Sequence, residues 1–527
     1  MCDPARGEPA AARVDVRLVP AALTGWAVTA AGIWWPVGRA VASCCVVLLG
    51  AAAVLACYAA RRPGQARRMR TVSAGLVAVG VVGAGFGLAI ALRTDAVARH
   101  PITRAFGTAA PVTVTPTESA RSLGPGRLMF RATLQRVRDD QMSGRVVVFA
   151  RASDFGDLTV GQPVRFTARI NRPGRRDLTV AVLNASGRPT MGTAGPVQRA
   201  AHAVRGRFAA AAREALTGDE AAMLPALVLG DTSAVRGETS RDFRAGGMTH
   251  LTAVSGANVT IVCGAVLFSA RLIGPRAAVA LAAVALVAFV VVVQPTASVL
   301  RAAVMGAIAL TAMLSSRRRQ AIPALSATVL ILLAVAPHLA VDVGFALSVL
   351  ATAALIVIAP AWSRRLVGRG WPKPLADALA VACAAHAVTA PLVAGISGRV
   401  SLVAAAANLA VAPVIAPITV LGSAAASLCV LWPAGAQLLI RFTGPELWWV
   451  LNVAKWSADV PAATLPVPAG VPGVVVVAAG TVSVLLAARL LWRWRWFRGA
   501  LGLAGGAVVM GALAWSLSGL VAIASAA

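Results

Sequence analysis

The sequence predicts a polytopic α-helical membrane protein with a small β-barrel inserted between two groups of membrane helices. Of its 527 residues, 58% are apolar and only 13% are charged, and the mean hydropathy is +0.76. The charged share is about half that of soluble proteins, and the apolar residues form long runs between short basic segments. This composition excludes a set of soluble domains, a fibrous protein and a disordered chain. At about 20 residues per crossing, the runs predict about thirteen transmembrane helices.

The N-terminal region predicts a cytoplasmic tail followed by transmembrane helices. Residues 1–19 lack the basic region and small-residue cleavage site of a signal peptide, which predicts a retained tail. Residues 20–92 are the N-terminal transmembrane region, and their apolar runs cover 20–36, 40–60 and 72–92. Five arginines in residues 61–70 predict that this loop is cytoplasmic, so that residues 93–196 are extracytoplasmic.

The extracytoplasmic segment predicts a β-barrel of the oligonucleotide-binding type (OB-like) over about residues 125–188. Apolar residues alternate with polar ones at 128–134 and 164–170, the pattern of half-buried strands. Further strands are predicted at 144–151 and 177–184. These four strands predict a small β-domain, for which we expect a five-stranded barrel.

Arginines are concentrated on this barrel, and we expect them to bind the phosphate backbone of single-stranded DNA. The residues are Arg127, Arg131, Arg136, Arg145, Arg165, Arg169, Arg172, Arg175 and Arg176. The alternative is a solvated outer face in an arginine-rich protein, because stacking aromatic residues are scarce here. The net charge of the whole chain is +29, and cytoplasmic loops account for part of that excess.

Residues 197–248 predict amphipathic or interfacial helices. One side of 197–216 is apolar and Arg205 is among the polar remainder, which is typical of a membrane-surface helix. Thr217 and Glu220 form a capping-box pair that predicts a second helix. The apolar stretch 221–230 inside that helix is too short to cross a bilayer.

Residues 249–523 predict a second transmembrane domain. Its ten apolar runs cover 249–270, 277–293, 297–314, 321–336, 342–360, 375–396, 401–431, 434–456, 471–491 and 499–523. The basic loops between these runs all fall on the cytoplasmic side when crossings are counted from an extracytoplasmic barrel. Pro413 and Pro417 in run 401–431 predict a broken helix or a re-entrant pair.

Polar groups and helix-breaking residues inside these runs are the candidate channel-lining or bracing residues, because ionisable and amide groups are costly in a membrane. They are His250, Ser255, Gly256, Asn258, Arg301, Asp342, Phe345, Ser348, His386, Asn408 and Pro413. Ser255 and Asn258 are expected on one helical face, and Gly256 is expected to allow close approach of a backbone or a substrate. Asp342 is assigned to bracing, with Arg301 as its expected partner. Ordinary packing is the alternative for His386 and for Asn408.

No cofactor or metal site is predicted. The five histidines are scattered, the cysteines form no CxxC pair, and no phosphate-binding GxxxxGK[ST] motif occurs. We expect no enzymatic activity. An intramembrane hydrolase that uses His250 and Ser255 is a remote alternative, because no carboxylate accompanies them in their motif.

The order of five motifs resembles the ComEC family of competence proteins, which are inner-membrane DNA-uptake channels. The motifs LTGDEAAMLPALVLGDTSAV, FRAGGMTHLTAVSGANVTIV, PTASVLRAAVMGAIAL, DVGFALSVLATAALI and SLVAAAANLAVAPVIAPITVLG begin at residues 216, 243, 295, 342 and 401. Family members commonly have histidine where Asn258 stands. Many also end in a metallo-β-lactamase-like domain, whereas residues 499–523 are an apolar run, so any nuclease is expected to be a separate protein.

The resemblance implies transport of single-stranded transforming DNA across the cytoplasmic membrane during natural competence. The implied partners are the phospholipid membrane, a DNA receptor, and a cytoplasmic motor or single-strand-binding proteins. The oligomeric state stays open. A secondary transporter of a small or lipid-linked solute is the main alternative, although no clear internal repeat supports it.

Overall fold

A computed structural model describes residues 15–35, 37–60, 66–124, 126–156, 158–252, 254–314 and 320–491. Its contacts divide the chain into two units. The larger unit is formed by the chain up to His386 and by Ser401–Ala463, and the smaller unit by Ala387–Val400 and the chain from Thr464 onward. Most of the predicted tail and the predicted run 499–523 lie outside the described residues.

Three helices occupy the N-terminal apolar runs. They are α1 (Val19–Trp34), α2 (Gly38–Ala60) and α3 (Ala66–Ala98). Helix α3 extends six residues beyond each end of the predicted run 72–92, because Ala, Arg and Met, which are strong helix formers, predominate in the flanking residues. Gly87 allows α3 to approach α2 closely, since a Cβ there would lie 3.1 Å from Ala42 Cβ.

A closed five-stranded barrel with one additional edge strand follows α3. The six strands are β1 (Ala109–Pro116), β2 (Arg121–Gly124), β3 (Arg127–Val137), β4 (Asp140–Arg151), β5 (Val164–Asn171) and β6 (Ala181–Met191), with a short helix α4 (Ala152–Phe155) after β4. The order β1–β5–β6–β4–β3 closes through a β1–β3 pairing, and β2 extends the edge of β3. Neighbouring strands in the closed ring are antiparallel except β4 and β6, which run parallel.

The predicted alternation builds the barrel core. Val164, Phe166, Ala168 and Ile170 of β5 are all buried, and polar or long side chains between them point outward. The predicted range of about 125–188 is too short, because it leaves out β1 and the last residues of β6. Pro111 and Pro116 weaken the strand signal of β1, although Ala110, Val112 and Val114 face the core.

Four helices link the barrel to the second helical block. They are α5 (Pro196–Ala215), α6 (Gly218–Leu229), α7 (Gly237–Ala245) and α8 (Thr249–Thr252). The apolar side of α5 packs on protein rather than on a membrane surface, with Phe208 fully buried among α6 and later helices. Helix α6 begins where the capping box predicts, but Thr217 makes no side-chain capping hydrogen bond.

The second block begins with helices α9 (Gly256–Ser269), α10 (Pro275–Val293), α11 (Ala297–Leu314), α12 (Ala321–Val335), α13 (Val343–Val357), α14 (Ala359–Val367) and α15 (Lys373–Ser397). It continues with α16 (Ala404–Leu428), α17 (Pro433–Phe442) and α18 (Gly444–Asp459). Helix α16 passes through both prolines without a break, so the prediction of a broken helix or re-entrant pair is wrong. The predicted run 434–456 is divided into α17 and α18 at Thr443.

The smaller unit contains the last turns of α15, most of a two-stranded sheet, and α19 (Val471–Leu491). The sheet pairs β7 (Arg399–Ser401) with β8 (Thr464–Pro466).

The described chain is mostly helical, and seven of its helices are long and apolar enough to cross a membrane. These are Gly75–Ala105, Pro275–Val293, Ala297–Leu314, Val343–Val367, Lys373–Ser397, Ala404–Leu428 and Val471–Leu490. Shorter apolar helices cover Val19–Trp34, Ala40–Ala51, Gly256–Leu272 and Ala321–Val335. The membrane fold class and its small barrel insert therefore agree with the sequence.

Candidate functional site

A buried arginine lies within the helices that follow the barrel. Arg301, in the second turn of α11, is 7% exposed. Its Nε donates a hydrogen bond to Ser348 Oγ of α13 over 2.7 Å, and its Nη1 lies 3.5 Å from Met305 Sδ. Among the described residues, no carboxylate forms an ion pair with this guanidinium. The site therefore holds a cation that the described chain does not neutralise.

Gly256 lies against this guanidinium at the start of α9. A Cβ at this position would lie 2.7 Å from Arg301 Nη2 and 3.3 Å from Ala302 Cβ. Ser298 Oγ donates to the carbonyl of Val254 over 2.8 Å and fixes α11 beside the same turn. The group that lies close to Gly256 is the side chain of Arg301, whereas the sequence led us to expect a backbone or a substrate there.

Ser255 and Asn258 form a second polar group beside α6. Ser255 is the N-cap of α9 rather than a residue inside a helix, because the predicted run 249–270 is interrupted before Gly256. Its Oγ still donates to Asn258 Oδ1 over 3.3 Å, and Asn258 Nδ2 donates to the carbonyl of Leu227 over 2.9 Å. The two side chains are therefore in contact, but not on one helical face as expected, because Ser255 precedes the helix and makes no side-chain capping hydrogen bond.

A small cavity adjoins this pair. It has room for about one water molecule. Its lining residues are Leu227, Leu251, Ser255, Asn258, Ile415, Ile418 and Thr419. A cavity of this size does not accommodate a nucleotide.

The hydrolase alternative finds no support in this geometry. His250 lies on the four-residue helix α8 and is exposed, and no hydrogen bond joins it to Ser255. The Ser255 hydroxyl instead donates to an amide oxygen. Within the described part of the chain, no group of three His, Cys, Asp or Glu side chains is placed to hold a metal ion.

Asp342 joins the helices to the barrel, not to Arg301. Its Oδ1 accepts a hydrogen bond from the Phe345 amide over 2.8 Å and caps α13. Its Oδ2 lies 3.8 Å from Nη1 of Arg131 on β3. The expected Arg301–Asp342 pair is therefore wrong. Asp342 begins its helix and so lies at the end of α13, whereas Arg301 contacts α13 more than one turn further along.

Two further side-chain contacts hold the barrel on helix ends. Ser119 Oγ donates to Gln294 Oε1 over 2.8 Å, and Arg176 Nη1 donates to the carbonyl of Trp34 over 2.6 Å. Leu178 packs into an apolar cluster formed mainly by α1, α12 and α13. Gln294 has φ of 77°, a conformation costly for a residue other than glycine, so this contact point is strained.

The predicted DNA-binding arginines divide into two groups. The exposed ones that the barrel leaves accessible are Arg127, Arg136, Arg165, Arg169, Arg172 and Arg175. Arg176 is also exposed but is held by the helix end described above. Arg131 and Arg145 are half-buried on the side of the barrel that meets the helices. Strand alternation at 128–134 places Arg131 on the outer face, but it does not show that helices cover that side.

His338 is a junction residue that the sequence did not single out. It lies in a 3-10 turn, Pro337–Val341, between α12 and α13. Burial, followed by the nearby charges of Arg145 and Arg131, lowers the pKa of His338 to about 3. The imidazole is therefore neutral at physiological pH. The only feature of the sequence that could have singled out His338 is its position four residues before Asp342 in the same short connection.

Arg205 corrects the prediction for α5. It is 9% exposed and faces the protein, where Nη1 donates to the carbonyls of Leu229 and Val292 over 3.0 and 3.1 Å. Its Nη2 also lies 3.8 Å from Asp231 Oδ2. This arginine ties the ends of α6 and α10 together.

Four further predicted residues lie outside the Arg301 and Ser255–Asn258 groups. Phe345 is fully buried and packs on Trp26, with ring centroids 5.2 Å apart, which is a bracing position. His386 is half-buried on α15. Asn408 Nδ2 donates to its own helix at Ala404, whereas its buried Oδ1 has no partner among the described residues. Pro413 is exposed on α16.

One comparison with known proteins finds a matching protein family. A family model described as competence protein matches residues 227–495, just over half of the chain. This range contains Arg301, Gly256, Ser348 and the Ser255–Asn258 pair. No curated protein and no solved structure matches the chain.

Proposed function

Because the chain belongs to the competence protein family, we propose that it carries single-stranded DNA across the cytoplasmic membrane. Membership of this family points to a membrane protein with a role in competence DNA uptake, of the channel type rather than an enzyme. The observation that supports transport of single-stranded DNA is the buried guanidinium of Arg301. It lies inside the helices that the family model matches and has no carboxylate partner among the described residues.

A buried cation without a carboxylate partner is expensive in a membrane helix bundle. The penalty for burying such a charge is several kcal/mol, and a hydrogen bond to a neutral hydroxyl offsets only part of it. Function therefore accounts for the residue better than stability does. An anionic cargo that passes this point provides the missing partner, and every nucleotide of DNA carries one negative charge.

The barrel supports DNA as that cargo. Its closed ring of five strands, with β4 parallel to β6 and a short helix before β5, is consistent with an OB-like fold. OB folds commonly bind single strands through a cationic surface. The six exposed arginines supply positive charge, and Arg172 also lies 5.7 Å from the Phe106 ring. We assign these residues to capture of the phosphate backbone.

The contacts of the barrel support an extracytoplasmic position for it. It touches the end of α1, Gln294 after α10, and Asp342 before α13. The basic loops near Arg271, Arg317 and Arg364 follow the opposite ends of the neighbouring helices. Since basic loops favour the cytoplasmic side, we propose that the barrel faces outward and the N-terminus inward.

We further propose about thirteen crossings. They comprise the long and the shorter apolar helices, the α17–α18 segment and the run 499–523. A DNA receptor outside, a motor or single-strand-binding protein inside, and a separate nuclease complete the proposed system. The chain itself contributes the path.

A deletion strain tests the proposal directly. Transformation frequency is scored, and labelled DNA is followed outside and inside the cell. We expect the mutant to retain surface-bound DNA and to lose its internalisation, with recovery when the wild-type gene is supplied. A deletion strain that internalises DNA as its parent does refutes the proposal.

A further inference from the structure

Three ionisable side chains meet where the barrel rests on the connection between α12 and α13. Arg131 lies opposite Val147 in the β3–β4 ladder, so it is the diagonal neighbour of Arg145 on the outer face. His338 lies in the turn Pro337–Val341, directly before Asp342, which pairs with Arg131, and the charges of both arginines lower the pKa of His338. We call Arg131, Arg145 and His338 the junction cluster.

The carboxylates near the junction cluster already have partners. Glu118 Oε1 accepts a hydrogen bond from Arg131 over 3.0 Å, and Asp342 pairs with the same guanidinium while it caps α13. Asp177 Oδ1 accepts a backbone N–H of its own loop over 3.2 Å. None of these carboxylates forms an ion pair with Arg145 in the described part of the chain.

Arg145 is consequently left with an unsatisfied donor. Its Nη1 is buried and has no hydrogen-bond partner among the described residues. Burial, followed by the charge of Arg131, lowers the pKa of the Arg145 guanidinium. An orphaned N–H on a charged group costs more than 1 kcal/mol unless an acceptor arrives.

The position of the cluster indicates which acceptor. In OB-type barrels, the face of the second and third ring strands and the adjoining loops bind the nucleic acid. In this barrel those strands are β3 and β4, and part of their outer face points at the helices. The adjoining loops also meet the helices, through Ser119 and Arg176.

We propose that the junction cluster binds a backbone phosphate of single-stranded DNA, held between the barrel and the helix ends. Arg145 is the principal donor, and its guanidinium must turn so that Nη1, which is buried without a partner, reaches the phosphate. Arg131 supplies the second positive charge. Neutral His338 donates or accepts a hydrogen bond without adding a third positive charge. Arg145 and His338 keep part of their surface accessible, so the phosphate has a route from solvent.

This inference rests on the proposed function and makes it more specific. A strand held only on the exposed arginines would lie on the outside of the barrel. A strand held at the junction cluster lies over the ends of α12 and α13, and Arg301 contacts α13 further along the same helix. The barrel would then deliver DNA to the helices directly.

Oligonucleotide binding by the full chain tests the assignment. The protein is placed in nanodiscs of phosphatidylcholine, and the anisotropy of a fluorescein-labelled dT oligomer reports its affinity. We expect Arg145→Gln to weaken binding about tenfold, as for loss of one strong charge-assisted contact. The matched control is Arg165→Gln, which removes an exposed barrel arginine, and we expect it to weaken binding by about threefold or less.

Two further arms separate a phosphate contact from a structural effect. An oligomer with an uncharged methylphosphonate backbone should bind wild type and Arg145→Gln equally, whereas a difference that persists shows a structural role and overturns the inference. If Arg145→Gln lowers the melting temperature of the protein, the binding assay uses Arg145→Lys instead. Lysine keeps the charge but loses the planar fork, so we expect an intermediate affinity.

The possible outcomes distinguish the two proposals. Normal binding by both Arg145 variants together with weaker binding by Arg165→Gln overturns the junction site but leaves the proposed function intact. Failure of the wild type to bind any oligomer overturns both. The last arm uses nanodiscs that contain phosphatidylglycerol. If the affinity of the wild type for the oligomer falls there to that of Arg145→Gln, the cluster binds lipid headgroups. That result overturns its assignment as a DNA site.

Discussion

We predict that replacing Arg301 by methionine uncouples the stability of the protein from its transport activity. The substitution removes a charged hydrogen bond to Ser348, which contributes about 1.5–3 kcal/mol, and also removes a burial penalty of several kcal/mol. The free energy of unfolding should therefore stay constant or rise by about 1–2 kcal/mol. We expect the melting temperature of the detergent-solubilised protein to rise by about 2 °C, and transformation to fall at least about tenfold.

Arg205 provides the matched control, because it is nearly as deeply buried but has two carbonyl acceptors and a carboxylate partner. Arg205→Met removes bonds to two helix-end carbonyls and the ion pair with Asp231. We expect it to lower the free energy of unfolding by about 3–5 kcal/mol. The reasoning is refuted if Arg301→Met destabilises the protein as much as Arg205→Met does, or if Arg301→Met cells are transformed at the wild-type frequency.

Three other predictions concern neighbouring features. Gly256→Ala should displace the Arg301 guanidinium and reduce transformation with little loss of stability, since a Cβ would meet only the flexible end of that side chain within 3 Å. The control is Gly264→Ala, which should be neutral because there is open space around Gly264. Equal effects of the two substitutions on transformation would contradict this prediction. His338 stays neutral in the folded protein down to about pH 3, whereas the unfolded chain protonates near pH 6.5, so stability is lost as the pH falls between these values. His338→Gln should recover about 1 kcal/mol of this loss at pH 5 in thermal-shift assays, and an unchanged acid sensitivity would exclude the effect. Oligonucleotide affinity should fall with rising salt concentration, and a flat dependence would remove the electrostatic basis of the barrel's role.

Hydrophobic runs and strand alternation predicted most of the fold. The runs place α10, α11, α12 and α19 within two residues at each end, because long apolar segments have few alternatives to a helix. The errors occur where a local signal competes with tertiary contacts. Pro413 and Pro417 suggest a break that α16 does not have, since neighbouring helices can satisfy the few groups that a proline frees.

The candidate site was predicted by residue type but not by pairing. Arg301, Ser348 and Gly256 were each named from the sequence, yet the contact among them depends on how α9, α11 and α13 cross. Asp342 was assigned to the wrong arginine because its true partner, Arg131, precedes it by about two hundred residues on a barrel strand. Strand alternation shows which way Arg131 points but not which element covers it.

The polar contacts that escaped sequence reasoning share a physical origin. The last four carbonyls of every helix lack an intrahelical partner, and between packed apolar helices water does not replace it. Here side-chain donors fill that need: Arg205 at the ends of α6 and α10, Asn258 at α6, and Arg176 at α1. A backbone acceptor leaves no mark in the sequence, so each donor looks like an isolated polar residue. Arg301 and Arg145 differ because their guanidinium groups reach no such helix-end acceptor among the described residues, and this is the physical reason to assign them an anionic ligand.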